Sequence, residues 1–257
     1  MPLRKRNLLV TGAKEAVSPG REETLWVSVE GQKVSLALHL PEGTPASCVV
    51  ACHGLAASKA SEKYLLLGRE FPRHGVALCR FDFRGCGESD GSYADSTVAG
   101  RISDLKAVLG ALARHPDLDG RFGLLGSSMG GCVALFIAWE APAPIPVVTW
   151  NCPATLRGLE KRRNGDVAAL GPAFFAELET QRYADAPPRI PWTLTIQGDR
   201  DEVVPPMHGR VLYDQAADPR EICILNGADH RLSDMAHRME ALRLSLDWIR
   251  RCLGRVP

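Results

Sequence analysis

The chain has 257 residues, enough to bury a substantial core as one large α/β domain or two smaller ones. Lys plus Arg (31) nearly cancels Asp plus Glu (30), so the overall charge points to neither nucleic acid nor an anionic membrane surface as partner. The apolar run after the basic start "MPLRKRN" is too short for a secretory leader, and no stretch approaches a membrane span; the sequence therefore predicts a cytoplasmic protein.

In chain order, residues 1–23 read as a loosely held N-terminal extension. "TLWVSVE" (24–30) and "KVSLALHL" (33–40) meet at Gly31-Gln32 as an antiparallel hairpin. Six further runs follow: "CVVACH" (48–53), "VALCRFDF" (76–83), "FGLLGS" (122–127), "PVVTWN" (146–151), "WTLTIQG" (192–198) and "EICILNG" (221–227). Their continuous apolarity suits strands covered on both faces. Helical spacing lies between and after them at 61–73, 98–114, 129–140, 205–216 and 233–253. This alternation predicts an α/β fold with a mostly parallel eight-stranded sheet, led by the hairpin and carrying helices on both faces. Residues 24–257 then form a single domain. Its rhythm breaks only at about 152–190, a segment too long for a plain connection and of a size that suits a small lid.

Eight cysteines contain no C-x-x-C pair, and Cys48, Cys79, Cys132 and Cys223 sit inside apolar runs, as reduced structural thiols do.

"GSSMG" (126–130) falls at the carboxyl end of a predicted strand, where parallel sheets build their sites. It fits G-x-S-x-G only with Ser128 at the centre, which excludes Ser127. A sharp strand-to-helix turn there presents the Ser128 hydroxyl, and the Met129 N–H at the start of the next helix faces the oxygen of an attacked carbonyl. Such a serine needs a base and a carboxylate. Of seven histidines, His39, His74, His115, His208 and His237 occupy hairpin, helix-end or helix positions that suit structural or solvated roles. His230 follows the last strand directly, in "ILNGADH", on a loop that can reach the serine. The loop after the preceding strand, "IQGDRDEVVPP", offers Asp199, Asp201 and Glu202. The absence of a P-loop lysine argues against reading "GLLGSSMGG" as a phosphate cradle.

Four motifs together resemble the α/β-hydrolase superfamily: "HGLAAS" (53–58), "FDFRGCGESDG" (81–91), "GSSMGG" (126–131), and "QGDRDEVVP" with "GADH" (197–205, 227–230). The likeness runs from about 24 to 253. It is nearest to small bacterial serine hydrolases of the feruloyl esterase, monoacylglycerol lipase and serine aminopeptidase kind. The resemblance implies Asp201 as the acid in preference to Asp199, the Leu55 N–H as the second oxyanion donor, and His53 as a shaper of its loop. It also implies bracing roles for Asp82 and Arg84, and a lid in which Phe174 and Phe175 line the substrate pocket. H-G-G-G is absent, so lipases built on that motif are poorer models.

The expectation is a serine hydrolase that cleaves small or medium carboxylic esters, neutral and partly apolar, through an acyl-enzyme. No metal or cofactor is expected, and the chain would act as a monomer or homodimer on a small-molecule ester. An aminopeptidase, an amidase or an acyltransferase would use the same three residues. A non-catalytic binding protein on the same scaffold is the alternative of another class.

Overall fold

A computed structural model describes residues 20–161 and 165–254, so the expectation for the N-terminal extension lies outside the described residues up to residue 19. Eight strands form one sheet: β1 (Arg21–Val29), β2 (Gln32–Leu40), β3 (Ala46–Cys52), β4 (Ala77–Phe81), β5 (Leu118–Ser127), β6 (Val147–Trp150), β7 (Thr193–Gly198) and β8 (Arg220–Leu225). They run in the order β1-β2-β4-β3-β5-β6-β7-β8. The pairings β1/β2 and β2/β4 are antiparallel, and all the others are parallel.

β1 starts at Arg21, three residues before the predicted start. Arg21 pairs with Leu40 through the backbone, and the polar residues 21–23 on this exposed edge strand carry no apolar signal.

The helices are α1 (Glu62–Glu70), α2 (Val98–Leu112), α3 (Met129–Glu140), α4 (Gly165–Ala168), α5 (Pro172–Glu179), α6 (Met207–Gln215) and α7 (Met235–Leu253). Alternation along β3 shows how two cores are filled from one strand. Cys48, Val50 and Cys52 pack with α2 and α3, whereas Val49 and Ala51 pack with Tyr64 and Leu67 of α1 and with Leu242, Leu246 and Ile249 of α7. α3 is buried on all sides from Met129 to Ala138, which explains its unbroken apolar sequence. Among the described residues no helix is long and apolar enough to cross a membrane.

The segment between β6 and β7 contains a 3-10 turn (Leu159–Lys161), α4 and α5. Its two ends are tied together by the Leu156 N–H to Ala184 O (2.7 Å) and the Ala186 N–H to Ala154 O (2.9 Å). The Glu177 carboxylate of α5 accepts from the Val98 and Ala99 N–H groups at 2.6 and 2.9 Å. These are orphan donors of the α2 N-terminus, so this contact anchors the segment to the body.

Candidate active site

β5 ends at Ser127, and the chain turns into α3 through Ser128 at φ 53° and ψ −125°. An L-residue is held there only by its surroundings, at a cost of about 1–3 kcal/mol. Those surroundings are backbone. A Cβ on Gly126 would lie 2.3 Å from Gly130 O, and one on Gly130 would lie 2.1 Å from Cys52 O. The two glycines let α3 begin in direct contact with the ends of β3 and β5. The Ser128 N–H donates to Trp150 O of β6 at 2.9 Å, which fastens the elbow to the adjacent strand.

The loops after β7 and β8 bring an acid and a base together. Asp201 Oδ2 lies 2.8 Å from His230 Nδ1. A carboxylate only accepts, so Nδ1 carries the proton and Nε2 is the free lone pair. Asp201 is fully buried; its Oδ1 accepts from the Val203 and Val204 N–H groups at 2.9 and 2.7 Å, and its Oδ2 also accepts from Gln197 at 3.3 Å. These bonds replace the water that burial removes. Asp199 is turned elsewhere and accepts from the Gly227 N–H at 2.6 Å.

One residue that sequence reasoning missed ties these loops together. Asn151, directly after β6 and at φ 50°, donates its amide to Asp229 O (3.0 Å) and His230 O (2.9 Å), while its Oδ1 accepts from the Gly198 N–H at 2.7 Å. A polar residue closing an apolar strand at the carboxyl edge was the available signal.

The loop after β3 faces the elbow. A Cβ on Gly54 would stand 3.2 Å from Ser128 Cβ. His53 is fully buried; its Nε2 accepts from the Phe83 N–H at 3.1 Å and its Nδ1–H donates to Gly54 O at 2.8 Å. Burial, reinforced by the nearby Arg101 cation, pushes its pKa down to about 3, so His53 stays neutral and holds the loop. Asp82 accepts from Lys59 through both the backbone N–H (2.6 Å) and the ammonium (2.7 Å), and from the Glu88 N–H at 2.9 Å. Arg84 bonds Asp104 of α2 at 2.5 Å.

A cavity of about 790 Å³ joins these parts. Ser128, His230 and Leu55 line it, along with Lys63 of α1 and Leu159, Asp166 and Val167 from the insertion. Met129 is buried just beneath, at the first position of α3, where a helix leaves its N–H without an intrahelical partner. Phe174 and Phe175 do not line this cavity, contrary to expectation. They pack edge to face, 5.5 Å between centroids, in the core beneath the insertion, because α5 must bury its apolar side against the body.

A family model described as "Serine aminopeptidase, S33" matches residues 43–170. The palmitoyl-protein thioesterase ABHD10 of mouse mitochondria is 27% identical over 190 residues, 63% of this chain and 61% of that protein. The uncharacterized protein YfhR of Escherichia coli O157:H7 is 24% identical over 192 residues, 74% of this chain and 65% of that one. The chain therefore matches less than two thirds of these relatives' own length. Among solved structures, a putative hydrolase from Agrobacterium vitis S4 aligns with a TM-score of 0.74 at 21% identity, over 90% of this chain and 100% of the other. Est1E from Butyrivibrio proteoclasticus, solved with ferulic acid bound, aligns with a TM-score of 0.77 at 18% identity over the same shares. At these identities the structural likeness speaks for the fold, and it agrees with the family match in the half of the chain that carries the elbow. By fold and by relationship, the chain belongs to the α/β-hydrolase superfamily.

Proposed function

We propose that this protein is a serine hydrolase that cleaves carboxylic esters through an acyl-enzyme, with Ser128 as nucleophile, His230 as general base and acid, and Asp201 as its orienting carboxylate. The observation that carries the reading is the Asp201–His230 pair at 2.8 Å, opening onto the same cavity as a serine held in a strained elbow. Ser128 Oγ attacks the ester carbonyl while its proton passes to His230 Nε2. The carbonyl oxygen becomes an oxyanion that accepts from the Leu55 and Met129 N–H groups. Collapse expels the alcohol, which takes the proton back from His230. Water, deprotonated by the same Nε2, then attacks the acyl-enzyme and releases the acid and free Ser128. Asp201 keeps the proton on Nδ1 throughout and stabilises the imidazolium as it forms.

Eight cysteines outside any disulfide, with the Cys132 and Cys152 Sγ atoms 3.7 Å apart, suit a reducing, cytoplasmic setting. The insertion acts in this reading as a small lid.

Labelling by a fluorophosphonate probe tests the nucleophile: wild type is expected to label and Ser128→Ala not, and equal labelling of both would sink the assignment. Hydrolysis rates for p-nitrophenyl esters, a matched thioester and aminoacyl anilides test the bond type. Esters should be turned over fastest, and faster cleavage of the anilides would replace the esterase reading with a peptidase one.

A further inference from the structure

Two lysines four residues apart meet opposite fates. The Lys59 ammonium is buried against Asp82 at 2.7 Å and against Glu88. Lys63, in the first turn of α1, donates to the neutral hydroxyl of Ser127 at 2.7 Å and lines the cavity with Ser128 and His230. Among the described residues no carboxylate lies within ion-pair distance of it. A partly buried ammonium held by one neutral hydroxyl, with the Tyr64 ring centroid 5.6 Å away, keeps spare donors and has no ion-pair partner among the described residues, an arrangement that a counter-charge on another molecule would stabilise.

Two arginines share its cavity. Arg231 follows His230 directly, lines the same cavity, and has no ion pair among the described residues; Arg238 lines it too. Burial first, then Arg238 and Arg231, push the Lys63 pKa down to about 8, outweighing Asp229 and Asp201. The acids on this side are already engaged. Glu62 pairs with Arg238 at 2.8 Å, Asp201 holds His230, and Asp229 accepts from the Ser233 N–H at 2.8 Å. Asp166 and Glu202 also line the cavity, from the insertion and the loop after β7, and among the described residues neither is ion-paired with Lys63.

We infer that Lys63 and Arg231 form an anion-binding subsite beside the nucleophile, and that the ester turned over here carries a carboxylate. The inference rests on the ester-hydrolase reading and replaces its neutral substrate with an anionic one. The carboxylate would complete the coordination of the Lys63 ammonium and reach Arg231 at the rim, fixing the scissile carbonyl relative to Ser128.

The test uses two matched pairs of esters. One pair is mono-4-nitrophenyl glutarate and its methyl ester, with the carboxylate on the acyl arm; the other is 3-acetoxybenzoate and its methyl ester, with it on the alcohol arm. The readout is the ratio of kcat/KM, anionic over neutral, which does not depend on the fraction of folded enzyme. Wild type should prefer the anionic member of at least one pair by about tenfold or more. Lys63→Met should abolish that preference, Arg231→Met should reduce it, and Lys63→Arg should retain most of it. Preference for the neutral member in both pairs, or an anionic preference that survives in both Lys63→Met and Arg231→Met, would overturn the subsite while leaving the hydrolase reading standing. No turnover of any of the four, together with no fluorophosphonate labelling, would remove that reading and the subsite with it.

Discussion

The cavity is bounded by two regions built on different terms. At the elbow, backbone meets backbone: Gly126 and Gly130 have no room for a Cβ, and Ser128 is held at φ 53° by what surrounds it. The insertion is held by backbone bonds between its own ends and from the Gly171 N–H to Ala94 O (2.9 Å), and in addition by side chains: the Glu177 cap on α2, the Arg157–Asp185 ion pair within it and the Tyr93 hydroxyl donating to Asp166 O at 2.9 Å. Steric exclusion admits almost no substitution, whereas hydrogen bonds and apolar contacts can be exchanged one at a time. On the proposed reading, a nucleophile fixed by the first kind of contact, beside a cavity edge held partly by the second, would let substrate preference vary without moving the reacting atoms.

That contrast can be broken most sharply at the elbow. Ser128→Ala should lower kcat by about 10⁴-fold or more with the fold intact, measured by ester turnover and circular dichroism; modest loss would mean that the strained serine is not the nucleophile. Asp201→Asn should cost about 10⁴-fold because an amide N–H facing Nδ1 favours the His230 tautomer protonated on Nε2, while Asp199→Asn, at a carboxylate that accepts from the Gly227 N–H, should leave kcat within a few-fold. At the insertion the effect moves from rate to stability. Phe174→Ala should destabilise the protein by about 3–5 kcal/mol in denaturant unfolding with little change in KM, as a core residue does; a KM effect without a stability effect would return Phe174 to the pocket.

The smallest expected effect is on pH dependence. Lys63 is faced by Arg231 and Asp229 from the loop after β8, Arg238 from α7 and Asp201 from the loop after β7. With its pKa lowered to about 8, it is charged below that pH and neutral above it. Preference for an anionic ester should therefore fade between about pH 7 and 9, and a preference constant across that range would show that Lys63 does not hold the anion.

The sheet was legible because its signals are local. Continuous apolar runs mark β3 to β7, and the switch from period 2 to helical spacing marks each crossover. The elbow was legible by spacing, since glycines at 126 and 130 leave one position for the serine. Three features were not. Asn151 acts through carbonyls at 229 and 230 and an N–H at 198, partners known only once β6, β7 and β8 are adjacent. Lys63 reads as an ordinary charge in the first turn of a helix, and its bond to Ser127 beside Ser128, with no ion pair among the described residues, appears only in three dimensions. Phe174 and Phe175 carry the same apolar signal whether they face a substrate or a core, and the direction of a short helix in an irregular segment decides between the two.

The Asn151 side chain has a mechanical consequence. Because one amide grips Gly198 at the root of the acid loop and the carbonyls of Asp229 and His230 on the base loop, neither loop can shift alone without losing a bond to it. A motion of this edge that keeps the Asn151 bonds moves the Asp201 and His230 loops as one piece, so on the proposed reading the site would open and close with the Asp201–His230 pair intact.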